Sequence, residues 1–181
     1  EPLGFSSVLG IDSAKTSGRA LTRLKLGFIV EKALTKDRVE VSATSEMTKV
    51  AVADVILGKS VSDGKLVLRV DKTGMDVNGG IMLGNVPATL KWRQNFLDKA
   101  PFRGRYELRT RIDGHQDLAD VGIDMALKFG DFIRGAIDAR FLLTVYDSGD
   151  GMLTASLDLT GAELDIPALA WSKKARTAAT A

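Results

Sequence analysis

The sequence predicts a mainly β protein, a long antiparallel meander, and three observations carry that expectation. Apolar residues recur at every second position, glycine-bearing turn dipeptides fall between the alternating runs, and no Pro/Ser-rich linker divides the 181 residues. Successive side chains of a strand point to opposite faces, so hydrophobicity of period two marks strands with one face out of water. One β domain over residues 1–172 followed by a disordered Ala/Thr-rich tail at 173–181 is the expected organisation, since all-β folds often reach this size undivided.

Taken in order, Pro2 to Gly10 reads as a short helical turn weakened by its glycines. Strands follow: Leu24, Leu26 and Phe28 alternate with Arg23, Lys25 and Gly27, and Val39, Val41 and Ala43 with Glu40, Ser42 and Thr44. Leu66, Leu68 and Val70 share one parity, with Val67 the exception. Met75, Val77, Ile81 and Leu83 keep theirs straight through Asn78-Gly79, so a strand with a glycine kink is expected there rather than a hairpin. Ala88, Leu90 and Trp92 alternate with Thr89, Lys91 and Arg93. Tyr106, Leu108 and Ile112 oppose Arg105, Glu107, Arg109, Arg111 and Asp113 in the cleanest run of the chain. His115 to Val121, with Leu118 and Val121 on one helical face, reads as a short amphipathic helix capping an end of the sheet. Ile137, Ala139, Phe141, Leu143 and Val145 form the next strand, Leu153, Ala155, Leu157 and Leu159 another, and Leu164 and Ile166 the last. Ser17-Gly18, Asp63-Gly64, Thr73-Gly74 and Asp150-Gly151 are read as the turns. Connections this short join antiparallel neighbours, because a parallel pair needs a long crossover.

Composition and motifs argue against chemistry at a catalytic centre. Lys and Arg number 25 against 23 Asp and Glu, with neither a basic stripe nor an aromatic stacking platform, which speaks against nucleic acid. With no cysteine, a disulfide framework and Cys-ligated metal are impossible. No run approaches the ~18 apolar residues of a membrane span, and the start lacks the basic and apolar regions of a signal peptide, so the chain is read as mature or excised. Leu57-Gly58-Lys59-Ser60 ends like a phosphate-binding loop, but Ala53 stands where the first glycine is required. His115 is the lone histidine, which excludes a two-histidine zinc motif, and Ser6-Ser7 lacks the spacing of a nucleophile elbow. Asp147 and Asp150 fit a hairpin turn better than a calcium loop, and Asp71, Asp76, Asp113 and Asp117 read as residues of turns and strand ends. Arg103, Arg105, Arg109 and Arg111 share a parity interleaved with Glu107 and Asp113, the pattern of a solvated face, with contact to anionic headgroups as the sharper alternative. No cofactor and no metal are expected.

What remains is the apolar face. Roughly eight or nine strands each offer aliphatic residues to one side, with few helices to cover them. A sheet folded on itself as a flattened barrel or sandwich is the ordinary solution. A strongly curved, open, groove-like sheet lined by these residues and receiving acyl chains is the other. The candidate lining is Leu24, Leu26, Phe28, Val39, Val41, Leu66, Leu68, Val70, Val77, Ile81, Leu90, Trp92, Tyr106, Leu108, Ile112, Phe141, Leu143, Val145, Leu157 and Leu159.

The stretch from Asp63 to Phe96 carries a resemblance. Asp63, Gly64, Leu66, Leu68, Gly74, Met75, Val77, Leu83, Val86, Pro87, Ala88, Leu90, Trp92 and Phe96 follow a phrasing similar to the YhdP-type branch of the AsmA-like envelope proteins of Gram-negative bacteria. The likeness extends through Tyr106-Glu-Leu-Arg and Val121-Gly-Ile-Asp to Leu164 through Trp171, covering most of the chain from Leu21 onward. The resemblance implies a segment of a larger periplasmic protein anchored in the inner membrane through regions this sequence does not contain. It implies relation to bridge proteins that carry phospholipid along a hydrophobic β groove, with adjacent segments of the same chain and acyl lipid as partners and no catalytic residues. It turns the expectation from a closed core to an open groove. A structural or interaction module of the envelope with a closed core and no ligand is the alternative.

Overall fold

The computed structural model describes residues 13–28, 39–56, 59–113, 133–167 and 170–177. A 3-10 turn at Ser13–Lys15 leads into eleven strands among the described residues. They are β1 (Thr16–Gly27), β2 (Glu40–Ile56), β3 (Lys59–Asp71), β4 (Gly74–Leu83), β5 (Val86–Asn95), β6 (Gly104–Ile112), β7 (Ile133–Gly135), β8 (Ile137–Val145), β9 (Gly151–Asp158), β10 (Ala162–Ile166) and β11 (Trp171–Lys173). Eight of them make one antiparallel sheet in the order β1-β2-β3-β4-β5-β6-β8-β9, a meander that does not close into a barrel. β1 and β9 are its edges, and among the described residues neither outer edge has a strand partner. The two expected helices, Pro2 to Gly10 and His115 to Val121, lie outside the described residues, as does His115 itself.

The hairpins form where turn chemistry is local. Asp71 Oδ1 accepts from the Thr73 N–H at 2.7 Å, the Thr73 hydroxyl at 2.6 Å and the Gly74 N–H at 3.2 Å, closing the β3–β4 turn. Around Asp147–Gly149 the Tyr146 N–H donates to the Asp150 carbonyl at 2.9 Å, closing the β8–β9 turn. Asp76 departs from expectation, since it sits within β4 with its Oδ2 2.6 Å from Arg93 Nη1 rather than at a strand end.

Two dipeptides read as turns are something else. Ser17-Gly18 lies inside β1 and Asp63-Gly64 inside β3, both at shifts of register. The extra residues fall at Lys49 in β2 (φ 52°) and Asp63 in β3 (φ 48°), beside Gly18 (φ 147°). These β-bulges abut, so β1 to β4 bend along a shared line, because a bulge kinks its strand and raises local twist. Each also resets parity. In β2 the residues facing the core change from Ala43, Ser45 and Met47 to Val50 and Val52, and in β3 from Val61 to Leu66, Leu68 and Val70. The apolar face therefore continues across the bend. Asn78-Gly79 behaves as the parity reading expects: β4 runs through it unbroken.

A second, three-stranded sheet in the order β11-β10-β7 was not foreseen, and it takes the strand of Leu164 and Ile166 out of the meander. Its Ala162 is fully buried in the same cluster as Leu83, Val86, Ile112 and Ile137, with Ile133 and Leu159 packed against them. Leu83 opposes Val86 and Ile112 opposes Ile137 at one end of the strands, so the small sheet closes that end. The expected tail begins too early at Lys173. That residue ends β11, is 6% exposed, and donates from Nζ to the Leu159 and Ala162 carbonyls at 2.9 Å each. The Arg176 N–H in turn donates to the Thr160 carbonyl at 2.7 Å.

Candidate functional site

Directly opposed residues of an antiparallel pair point to the same face, so the registers assemble the apolar residues into rows across the sheet. One row runs Thr22, Ser45, Leu68, Val77, Trp92, Tyr106, Leu143, Leu153. Its neighbour runs Ala20, Met47, Leu66, Gly79, Leu90, Leu108, Phe141, Ala155. On the other side Leu24, Ala43, Val70, Met75, Gln94, Gly104, Val145 and Gly151 align, with Leu26 opposite Val41 beyond them. Ile81, Ala88, Thr110, Ala139 and Leu157 form a further row. All the lining candidates except Phe28, Val39 and Leu159 stand in strands, and those in strands share this one face. Phe28 follows β1, Val39 precedes β2, and Leu159 follows β9 and packs on the core.

The face is not uniform in burial. Leu66, Val77, Ile81, Trp92, Leu108 and Ile112 are sealed in the core. Leu68, Val70, Leu90, Tyr106, Phe141 and Val145 are half-buried. The margins are open: Leu24 is 60% exposed, Leu26 57%, Val41 46%, Leu153 61% and Leu157 50%. Burial thus falls from the middle strands toward β1 on one side and β9 on the other. Isolated exposed leucines are ordinary, but aligned rows of them contiguous with a core mark a surface that meets something apolar.

Polar residues interrupt the face at few points. The Thr22 hydroxyl donates to Ser45 Oγ at 2.9 Å, and the Thr110 hydroxyl to the Pro87 carbonyl at 2.8 Å. Trp92 and Tyr106 stack with centroids 5.3 Å apart and planes 24° apart. Burial pushes the Tyr106 phenol up, and the nearby Trp92 N–H partly opposes the rise. No acceptor meets that indole N–H at hydrogen-bonding geometry, so it is buried and unpaired among the described residues.

The opposite face carries the charge. Glu107, its side chain 15% exposed, lies between Arg109 at 2.5 Å and Arg140 at 2.8 Å. Arg140, and then Arg109, hold its carboxyl below the usual range. Arg111 pairs with Asp113 at 3.3 Å and Asp138 at 3.8 Å. An open cleft of 550 Å³ lies over Thr89, Arg109, Arg111 and Arg140. Its arginines are already matched by carboxylates, as the solvated reading of this stripe expects. Among the described residues no cluster of acids, histidines or cysteines is arranged to hold a metal ion, and no helix is long and apolar enough to cross a membrane.

The parity reading passes over Leu153, which it placed in a strand but not in the lining, and over Gln94 and Gly104, whose positions in the rows are apolar-facing although their side chains are not. The sequence signal was present: Gln94 lies two residues beyond Trp92 and Gly104 two before Tyr106. No family model matches the chain, and neither a curated protein nor a solved structure matches it.

Proposed function

We propose that the chain is a lipid-transport module whose apolar sheet face binds the acyl chains of phospholipid on their way between the inner and outer membranes. The observation that carries this reading is the pair of open margins, Leu24, Leu26 and Val41 on one side and Leu143, Leu153 and Leu157 on the other, continuous with the core row by row. Each methylene moved from water onto such a surface gains about 0.8 kcal/mol, so a single chain repays much of its loss of bilayer contact. Headgroups remain in water at the open edge. Aliphatic lining sets no fixed pocket, which suits chains of varied length sliding along it. The resemblance to the YhdP-type branch of the AsmA-like proteins supports the same reading, with a periplasmic location and inner-membrane anchorage in a longer chain. The unpaired edges of β1 and β9 would let the sheet continue into adjacent segments of that chain.

Those edges also favour a second reading, an envelope interaction module that recruits an extended partner strand by main-chain hydrogen bonds. The two readings part in one experiment. Gently extracted protein is analysed for co-purifying phospholipid by mass spectrometry, alongside L143D and L153D. On the transport reading phospholipid is present in the wild type and strongly reduced in both variants, whose circular dichroism is unchanged because neither residue is buried. Folded wild type without lipid, or variants that retain it fully, would favour the interaction module.

A further inference from the structure

We infer that Trp92, Tyr106 and Gln94 form a polar niche within the apolar face that receives the carbonyl of an acyl group. The inference rests on the acyl-binding reading of the face and says where the polar end of the bound chain is held.

Trp92 on β5 stands directly opposite Tyr106 on β6, and Gln94, the next residue of β5 on this face, stands opposite Gly104. Trp92 is 9% exposed and Gln94 4%. A Cβ at position 104 would crowd Gln94 Oε1 at 3.1 Å and the Tyr106 ring and hydroxyl oxygen at 3.2 and 3.4 Å. Glycine leaves both oxygens clear of a side chain at this position. The Trp92 N–H is near enough to the Tyr106 hydroxyl to oppose its rise in pKa, yet finds no acceptor. Burying a donor unpaired forfeits its hydration without return, so such a group points to an acceptor that arrives from elsewhere.

The chemistry of the niche selects that acceptor. An indole N–H only donates, and a phenol can turn its O–H toward a partner. A carbonyl oxygen has two lone pairs and can take both. The three side chains are uncharged, so a phosphate or ionised carboxylate buried among them would lack a counter-charge, whereas a neutral carbonyl carries no such penalty. The niche is also reachable. Along its own row burial falls from Trp92 through half-buried Tyr106 to Leu143 and Leu153, which are 36% and 61% exposed. A chain lying on the open β8–β9 margin would therefore reach the pair with its carbonyl end. Glycerol esters and protonated fatty acids both present this group.

The test uses radiolabelled diester phosphatidylglycerol, its diether analogue of equal chain length, which lacks the carbonyls, and oleic acid. Binding is measured to the wild type, W92F and Y106F. The expected result is a preference of about tenfold for diester over diether in the wild type, the size of one hydrogen bond to a buried group. W92F and Y106F each reduce that preference toward unity, with diester affinity falling more than diether affinity. Y106F removes only a hydroxyl and gives the result even if W92F is poorly folded. Loss of oleic acid binding in the variants without any diester preference would assign the niche to a free fatty acid instead of an ester. Equal binding of diester and diether by the wild type, with oleic acid indifferent to both substitutions, overturns the niche and leaves the acyl-binding face standing. Failure of all three lipids to bind the wild type overturns both.

Discussion

Gly79 on β4 lies directly against the Lys65 carbonyl of β3, so closely that a Cβ at that position would overlap the oxygen. Its φ of 154° is in the region that side chains rarely adopt. The next residue, Gly80, has nothing within 4 Å of its own would-be Cβ. Two adjacent glycines in one strand therefore have opposite standing. G79A should destabilise by about 2 kcal/mol or more, from strain and overlap together. G80A should be neutral or gain about 0.5 kcal/mol by restricting the unfolded chain. Paired urea titrations check both, and equal effects would contradict the close approach.

The division of the apolar face into sealed and open parts predicts a matching division of mutational cost. Leu83 is fully buried, and L83A should cost about 2–5 kcal/mol through lost transfer energy and a residual cavity. Leu24, 60% exposed, belongs to the open margin, and L24A should stay within about 0.5 kcal/mol. Comparable losses at the two positions in guanidinium unfolding would mean that the margin is covered in the folded chain.

Acid should loosen the charged face in a defined direction. Glu107 is held below its ordinary value of 4.5 by Arg140 and Arg109, and Asp71 below 3.8 by the Thr73 hydroxyl and N–H. A carboxyl whose folded pKa is depressed binds its proton more readily when unfolded. The stability it contributes is complete above the unfolded value and disappears as the pH falls through the folded one. E107Q should therefore cost about 1 kcal/mol at pH 7, since its partners Arg109 and Arg140 are 56% and 49% exposed and well screened. Near pH 2 the variant and the wild type should converge. A gap that persists in acid would show that packing, and not charge, is what Glu107 contributes.

Lys173 ties the small sheet together from a buried position. Its ammonium donates to the carbonyls of Leu159 and Ala162, and at 3.3 Å to that of Lys174. K173M keeps the aliphatic stem and removes the donors, taking the ammonium from the buried Ala162 carbonyl, while the Leu159 carbonyl keeps the Ala162 N–H. A cost of about 2–3 kcal/mol is expected. Hydrogen exchange should locate it, with faster exchange in β10 and β11 than in β4 and β5. Uniform acceleration across both sheets would mean that the two unfold together.

The central strands were legible because their burial is one-sided. In β4, β5 and β6 every second residue is buried or half-buried on one face, as are Ile137, Ala139 and Phe141 of β8, and no change of parity intervenes between Met75 and Leu83 or between Tyr106 and Ile112. β2 and β3 were less so, because Asp-Gly favours positive φ and serves a bulge as readily as a turn; Asp63 uses it for the bulge. The small sheet escaped because Ile133–Gly135 and Trp171–Lys173 are too short to show a period, and a lysine gives no hint of burial when its partners are backbone carbonyls. Trp92 and Tyr106 were legible as lining residues. Their polar edges were not, since an unpaired N–H becomes visible only when its neighbours are placed.

The adjoining bulges of β2 and β3 have an evolutionary corollary. Deleting Lys49 alone would return β2 to strict alternation with Val50 and Val52 still on the core face, and deleting Asp63 would do the same for β3, but either deletion leaves a straightened strand beside a partner that still bends. Chain length at this bend is thus correlated between hairpin partners, and descendants of this sequence should gain or lose residues there in matched sets or not at all.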